Sequence, residues 1–530
     1  MTTERLGSSP GETGFVLRHV ALIAFVTLVT AWFSYAFFHP DEHFQVIEFM
    51  RMKLGHLTGS ELPWEHAAQI RPWLQPFGYW AIARVLESLS VHDIFTLCFF
   101  LRLVTAALNL GALAMFLRTS LPWLPTIEES RAYIRAITFV GWWPYLFVRT
   151  SSESASMAAL VAAVALLLDG ARPVTNERRW ITPAMHKVVP PLFGGMLLGL
   201  AFEARFQTAI ASMAFLGWLV AVGRPSWRGL VLLSAGGLVA LALGAVADRW
   251  GYGVWGFPAW SYVRANLLQG VAATYGVDPV AAYVWLLPAN IFSPAVLAVM
   301  ACMLVAWVRA PWHPLTSLTF PFVAVHSLIS HKEERFLFPI AVFAVALLPV
   351  ALGPSFCATG RRAIVTERFA NWAWPRRYGT LVKLIAASSL LSMTFLAFVP
   401  LGWNHHVRFS RFVHDRIGES FRATVLPDVD VGYPPFHGRV YDVDVATPVE
   451  VVERMKRGDS RAWLVANQPV LCTGTLLDQQ AELVYSELPT YRNRALTERI
   501  MALVETYNAR APASLRRLRF RSLYRLTPGA

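Results

Sequence analysis

The residues best suited to chemistry are acids and bases that stand just past long apolar runs. Phe38-His39-Pro40-Asp41-Glu42-His43-Phe44-Gln45 follows the run 20–38. Neighbouring carboxylates can divide labour: one acts as general base while the other, or a histidine, orients it. The plainer reading is helix capping by Pro40 and the acids. Capping needs a single acid and gives no reason for His39 and His43.

A second cluster, His331-Lys332-Glu333-Glu334-Arg335-Phe336, joins two apolar runs with almost no loop between them. Lys332 and Arg335, with His331, can hold a phosphate, since arginine offers a planar donor fork and lysine a compact charge. Glu333 and Glu334 would keep those side chains in place. The alternative is a charged hairpin tip facing water. Glu203 and Arg205 interrupt another apolar stretch, and Arg149 and Glu153 flank Thr150-Ser151-Ser152. Either pair is equally readable as a structural ion pair at a helix end. Asp248-Arg249-Trp250-Gly251-Tyr252-Gly253 opens a loop rich in Trp and Tyr. Such aromatic faces suit sugars, and they suit a membrane interface equally well.

These groups need a scaffold, and composition says what kind. Of 530 residues 55% are hydrophobic and only 15% charged, where a soluble domain carries about 25% charge. The chain therefore reads as an all-α polytopic membrane protein. A span needs about 20 mostly apolar residues. About eleven are expected, near 19–38, 94–117, 132–149, 153–169, 189–204, 206–223, 229–247, 281–308, 315–330, 336–352 and 379–401. The first lacks a small-residue cleavage site and reads as an uncleaved span. The net charge of +13 lies mostly between apolar runs. Arg172, Arg178, Arg179, Lys187, Arg224, Arg228, Arg309, Arg361, Arg362, Arg368, Arg376 and Arg377 fall on one side if the N-terminus is cytoplasmic. That is the positive-inside pattern, and it excludes nucleic acid as the partner of first choice.

The same count places the polar clusters together on the other side. Segment 39–93 reads as one or two interfacial helices with Trp64, Trp73 and Trp80 at headgroup level, or, alternatively, as holding an extra span over 73–90. From Trp403 charges become dense and short apolar runs alternate with helical stretches. The expected division is therefore a transmembrane catalytic domain, 1–402, and a small external α/β domain, 403–530. Cys98, Cys302, Cys357 and Cys472 show neither a disulfide framework nor metal spacing. Only five of the basic residues are lysine, a bias that favours a bacterial inner membrane with a periplasmic site; a eukaryotic source implies the ER lumen.

His39-Pro40-Asp41-Glu42-His43-Phe44-Gln45 resembles the His-Pro-Asp-Glu motif of glycosyltransferase family 22, the membrane mannosyltransferases that build GPI anchors and N-glycan precursors. His331-Lys332-Glu333-Glu334-Arg335-Phe336-Leu337-Phe338-Pro339 is similar to its His-Lys-Glu-x-Arg-Phe-x-x-Pro motif. Asp248-Arg249, Asn266 and Tyr275-Gly276 resemble its Asp-Arg, Phe-Asn and Tyr-Gly loop, and Trp64-Glu65 with Arg71 and Pro76 its Trp-Glu and Arg-Ser-x-x-x-Pro segment. The chain departs from the family at Val277-Asp278-Pro279-Val280, where His-Pro-Trp is usual, at Arg205-Phe206-Gln207-Thr208 for Arg-Pro-Thr, and at Ser151-Ser152-Glu153-Ser154, which lacks an Asn.

The resemblance implies a GT-C fold, a mannosyl donor on a polyprenyl phosphate such as dolichyl-phosphate mannose, a glycolipid or glycan acceptor, and inversion to an α-linkage. No dedicated metal cluster is visible in the sequence, so no cofactor and no divalent metal is expected, the alternative being an ion on Asp41 and Glu42. Asp41 is expected to take the acceptor's proton and Glu42 to support it. His331, Lys332, Arg335 and Arg205 would hold the donor phosphate across a cavity from Asp41. His39, His43, Gln45, Glu65, Arg71, Glu153, Asp248, Arg249, Asn266, Tyr275 and Glu334 would contact substrate. Rival readings are a GT-C transferase of another sugar, a flippase or transporter, and a receptor-like binding protein. Transporters favour midplane charges and inverted repeats, and neither pattern is found.

Overall fold

Inside a bilayer the backbone has no water to bond, so apolar runs close their hydrogen bonds as helices. The computed structural model describes residues 10–124, 126–171, 183–291, 293, 295–352, 379–398, 404–417, 421–427, 442–457, 462–467, 481–488, 490, 493–510 and 520–526. The chain divides into two compact units. One is Met1–Ser34 with Pro40–Pro400; the other is Tyr35–His39 with Leu401–Ala530.

The first unit is helical. Its main helices are α1 (Pro10–Phe33), α2 (Leu74–Ser88), α3 (Ile94–Ser120), α4 (Ile127–Phe139), α5 (Ser152–Gly170), α6 (Pro183–Ala204), α7 (Thr208–Trp218), α8 (Trp227–Tyr252), α9 (Ala295–Arg309), α10 (Pro314–Leu328) and α11 (Gly379–Phe398). Side chains start several of them: Asp93 accepts from Thr96 N at 2.7 Å before α3, and Ser226 from Gly229 N at 3.2 Å before α8. Such caps satisfy N–H groups that the helix itself leaves open.

Among the described residues five helices are long and apolar enough to cross a membrane: α1, α3, α5, α6 and α8. The bent pair α9 and α10, 117° apart, makes a sixth if counted as one span. The chain is an integral membrane protein, and among the described residues fewer than the expected eleven spans stand out, because several apolar runs are broken. Run 132–149 splits at Gly141, where φ is 95°, into α4 and the short Trp143–Phe147. Run 281–308 divides into Tyr283–Ile291, with Pro288 inside it, and α9. Run 336–352 is a 3-10 turn, Glu334–Ile340, followed by Ala341–Ala346 and Leu348–Leu352. Its Leu337, Phe338, Ile340, Val342, Phe343 and Val345 are buried, so it is core rather than lipid-facing surface. The 15 residues of α2 are too few for a span.

Two of the spans, α6 and α8, meet backbone to backbone. A Cβ on Gly195 would stand 1.9 Å from Leu233 O, and one on Gly236 1.9 Å from Leu192 O. Lipid gives helices no hydrophobic reason to associate, so small residues that allow close approach carry the contact. This contact holds the ends of α6 and α8 together, and with them Arg205 and Asp248.

The second unit carries a five-stranded sheet in the order β2-β1-β3-β5-β4, with β1 (Arg422–Val425), β2 (Asp442–Val445), β3 (Trp463–Ala466), β4 (Ala481–Ser486) and β5 (Ser522–Leu526). Strands β2, β1 and β3 run parallel, while β5 and β4 are antiparallel. Helices α12 (Asn404–Arg416), α13 (Pro448–Lys456) and α14 (Arg494–Arg510) accompany it. Phe409 and Val413 pack with Phe421, Ala423 and Leu523 on one core, and Val451 and Met455 with Leu464 and Tyr524 on another. The basic stretches 172–182 and 353–378, Cys357, Cys472 and the turn 432–435 lie outside the described residues.

The α6–α8 contact predicts that Gly236→Ala costs at least about 1–3 kcal/mol, the usual penalty for overpacking. Thermal unfolding in detergent measures it: a clear drop in melting temperature is expected for Gly236→Ala, whereas Gly217→Ala, where a Cβ meets nothing within 4 Å, should leave the transition unmoved.

Candidate active site

Helix ends build the site. Asp41 lies beyond α1, Glu153 stands in the first turn of α5, Arg205 directly follows α6, and Arg335 comes shortly after α10. Basic residues occupy opposite ends of the same scaffold: Arg118 in the last turn of α3, Arg228 at the start of α8, and Arg309 at the end of α9.

Arg335 joins the helix ends. Its Nη2 donates to Asp41 Oδ2 at 2.7 Å and its Nη1 to Glu153 Oε1 at 3.1 Å, while its Nε donates to Glu333. Arg205 Nη1 shares Glu153 Oε1 at 3.0 Å and donates to Ser152 Oγ at 3.2 Å. Burial works against the charge of Arg335, but Asp41, Glu333 and Glu153 outweigh it and raise its pKa further above its already high ordinary value.

The two neighbouring carboxylates have different surroundings. Glu42 is 3% exposed and accepts Thr150 N–H at 2.7 Å and Thr150 Oγ1–H at 2.9 Å. Arg149 Nη1 is 3.8 Å from its other oxygen, and Arg149 itself donates to Ser34. Asp41 is 24% exposed, with Arg71 Nη2 3.7 Å from the same Oδ2 that Arg335 holds. Glu42 is enclosed by fixed donors, whereas Asp41 can be reached.

Arg71 also pairs with Glu65 at 3.6 Å, and Gln45 donates to the same Glu65 oxygen at 3.1 Å. Arg71 lines a small cleft together with Gln45, Gln75, Ser152, Arg205, Gln207 and Tyr262. The cavity was expected between Asp41 and the 331–335 hairpin. Asp41 and Arg335 instead touch directly, and the open volume lies on the Arg71 and Arg205 side.

Several expected substrate contacts have structural partners. Lys332 is buried, and its Nζ donates to the carbonyls of Ile329 and Asp278 at 2.6 and 3.0 Å. Its backbone N–H goes to the Asp278 carboxylate at 3.1 Å. Here Lys332 clasps a loop. Asp248 accepts Trp73 N–H at 2.8 Å, and Arg249 donates to Gly253 O at the end of its own helix. Asn266 donates to Tyr262 O in its own turn, and Tyr275 accepts Trp64 Nε1–H at 2.9 Å. His43 faces Glu48 at 3.2 Å. His39 is half-buried and falls with the second unit, and Glu334 is half-buried beside the cluster. The hairpin's His331 Nε2 meets Glu333 Oε1 at 2.9 Å.

An aromatic anchor fixes the wall that carries Arg71. Trp73 is fully buried among Phe49, His66, Trp250 and Tyr252. The Tyr252 hydroxyl both accepts Arg71 N–H at 3.2 Å and donates to Arg71 O at 2.7 Å. Lys53 donates to Trp250 O at 2.8 Å and lies over the Trp250 ring. Gln75, Gln207, Tyr262 and Thr150 were not singled out from sequence. The signal available for Gln75 and Gln207 was a lone amide within an otherwise apolar stretch.

Known proteins resemble both the sequence and the fold. The chain is 25% identical to GPI mannosyltransferase 3 of Gibberella zeae over 403 residues, covering 64% of this chain and 60% of that protein. It is 24% identical to GPI alpha-1,2-mannosyltransferase 3 of Danio rerio, with the same two coverages, and 22% identical to its Homo sapiens counterpart, covering 66% and 60%. The chain thus spans about 60% of the length of these curated relatives. The crystal structures of ArnT from Cupriavidus metallidurans, in the apo state and bound to undecaprenyl phosphate, share the fold at a TM-score of 0.50, with 14% and 13% identity, over 97% of this chain and 98% of theirs. The model of the Alg9-like mannosyltransferase family matches residues 19–407, most of the sequence, and the chain belongs to that family.

Proposed function

We propose that the protein transfers a mannosyl residue from a polyprenyl-phosphate donor to a glycolipid or glycan acceptor, with inversion, forming an α-mannosidic linkage on the face opposite the basic helix ends. One observation carries the reading: of two adjacent carboxylates, Glu42 is enclosed by donors while Asp41 stays reachable, held by Arg335 and close to Arg71 on the cleft. Family membership supports the mannosyl reaction, and the names of the relatives support a GPI-type glycolipid as acceptor.

In this reading Asp41 takes the proton of the acceptor hydroxyl as its oxygen attacks the anomeric carbon. The bond from that carbon to the phosphate oxygen breaks, and its electron pair leaves on the lipid phosphate. A phosphate is a good leaving group and needs no general acid. It needs cations where charge develops. Arg335 is fully engaged by three carboxylates and Lys332 by two carbonyls. Arg205, paired to the single carboxylate of Glu153, and Arg71, whose carboxylates stand 3.6–3.7 Å away, are both on the cleft and therefore serve as the phosphate ligands. A carboxylate paired to arginine is a weak base, which suffices when departure of the phosphate leads and proton transfer follows late. Transfer is proposed to need no metal.

Transfer from radiolabelled polyprenyl-phosphate mannose tests the assignment. Asp41→Asn should lose about 10²–10⁴-fold in rate, the usual contribution of a general base; wild-type turnover would sink that role. Arg205→Ala should raise the donor KM, and Lys332→Met should leave donor affinity unchanged while lowering thermal stability. A donor KM that rises only in Lys332→Met would return the phosphate to the hairpin.

His331 adds a pH signature. The Glu333 hydrogen bond, which outweighs partial burial, raises the pKa of His331 above 6.5. The ion pair's stabilisation is therefore fully present below pH 6.5 and is lost as pH rises through the raised value. Melting temperature followed upward from pH 6 should fall in the wild type relative to His331→Gln, and parallel curves would refute the linkage.

A further inference from the structure

Two polar atoms on the cleft wall lack partners. Arg71 Nε and Gln75 Oε1 are both buried, and among the described residues no group lies within hydrogen-bond reach of either. Buried polar atoms are ordinarily satisfied, and an exception calls for an explanation. One of the two is a donor and the other an acceptor, and both residues line the same cleft.

The amide orientation of Gln75 is fixed by chemistry. Its nitrogen lies 2.9 Å from Thr150 O and 3.5 Å from Ser151 O. Carbonyl oxygens only accept, so the nitrogen must face them and the oxygen must point elsewhere. The Arg71 guanidinium is similarly constrained: its Nη2 faces Asp41 and Glu65, its plane lies 5.8 Å from the Tyr262 ring, and Tyr252 holds its backbone from both sides. Neither side chain can turn to satisfy its open atom without giving up contacts it already makes.

A ligand group that accepts from one atom and donates to the other would complete both. A hydroxyl does this; a phosphodiester anion or carboxylate, lacking a proton to give, cannot satisfy Gln75. The remaining lining agrees. Gln207 donates to the Tyr262 hydroxyl, which leaves the phenolic hydrogen for a ligand, and Val46, Ile70, Pro72, Pro76 and Phe206 supply apolar surface suited to the C–H face of a pyranose.

We propose that Arg71 and Gln75 form a hydroxyl-reading pair that binds one ring hydroxyl of a hexose in this cleft. The proposal rests on the transferase reading for the identity of the hexose, which belongs either to the donor or to the end of the acceptor glycan. Gln75 is also tied to the base. Its amide nitrogen holds the carbonyl of Thr150, the residue whose N–H and hydroxyl hold Glu42. The sugar is thereby placed in register with the carboxylate next to Asp41.

Equilibrium binding to the full chain in detergent tests this without turnover. The probes are polyprenyl phosphate, polyprenyl-phosphate mannose, its monodeoxy-mannose analogues, and methyl α-mannobioside for the acceptor side. Wild type should bind one mannosyl probe with a preference that a single deoxy position reduces about ten-fold, the worth of one good hydrogen bond. Gln75→Met should erase that loss and leave affinity for bare polyprenyl phosphate unchanged. The effect falling on the mannosyl lipid assigns the hydroxyl to the donor, and on the mannobioside to the acceptor. The inference is overturned if Gln75→Met keeps the full deoxy penalty, or if it weakens bare polyprenyl phosphate equally, the sign of a damaged Thr150 contact only. Transfer assayed in parallel separates the two ideas: sugar binding with this pattern but no transfer would refute the transferase reading alone, and transfer indifferent to Gln75→Met would refute this inference alone.

Discussion

A buried guanidinium must be paired, and Arg335 is paired three ways, to Asp41, Glu153 and Glu333. Asp41 and Glu153 are distant in sequence, 294 and 182 residues away. Removing one partner of a buried ion pair typically costs about 3–5 kcal/mol because a charge is left uncompensated. Arg335 can therefore stay buried only if the end of α1, the start of α5 and the 333–335 turn come together. Arg205 ties α6 to the same Glu153 oxygen, and the close glycine contact between α6 and α8 extends the constraint to Asp248 and Trp73. The wall that carries Arg71 is the last member of that chain.

The same electrostatics separates Asp41 from Glu42. Both are next to arginine, and Glu42 also receives a backbone N–H and a hydroxyl, from Thr150. A carboxylate enclosed by several fixed donors is a structural element; one a quarter exposed to solvent can exchange partners. Around the cleft the charges of Arg71, Arg205 and Arg335 face those of Asp41, Glu65, Glu153 and Glu333, with His331 tending to protonate beside them. Near-neutrality explains how so many ionisable groups lie close to a bilayer. It also means that an arriving phosphate competes with carboxylates for cations, and it competes best where pairing is longest, at Arg71.

The sequence carried the placement of chemistry at helix ends, because charge beside a long apolar run is conspicuous. Asp41, Glu153, Arg205 and Arg335 were each visible that way, and the structure joins them. Partner choice was not visible. Lys332 and Arg335 stand in one motif and look alike as phosphate ligands, yet Lys332 points at two carbonyls and Arg335 at three carboxylates. The departure at Asp278 is part of the reason, since its carbonyl and carboxylate both grip Lys332. Among the described residues fewer spans than expected stand out, for a related reason. Run 336–352 is as apolar as a membrane helix, but Pro339 and its burial against α5 make it broken core. Hydropathy reports that a segment avoids water, not whether lipid or protein replaces it.

Gln75 shows why part of a site escapes a linear reading. A lone glutamine between Leu74 and Pro76 has no partner in sequence. Its meaning arises from Thr150, 75 residues away. That one residue accepts from Gln75 through its carbonyl and donates to Glu42 through its N–H and hydroxyl. The peptide groups on either side of Thr150 are rigid, so a shift of the cleft wall is felt at Glu42 and hence at the residue before it. The enclosed carboxylate thus has a reason to sit beside the reachable one. It need not touch substrate to matter, because it fixes the backbone on which Asp41 and the cleft's amide are both registered.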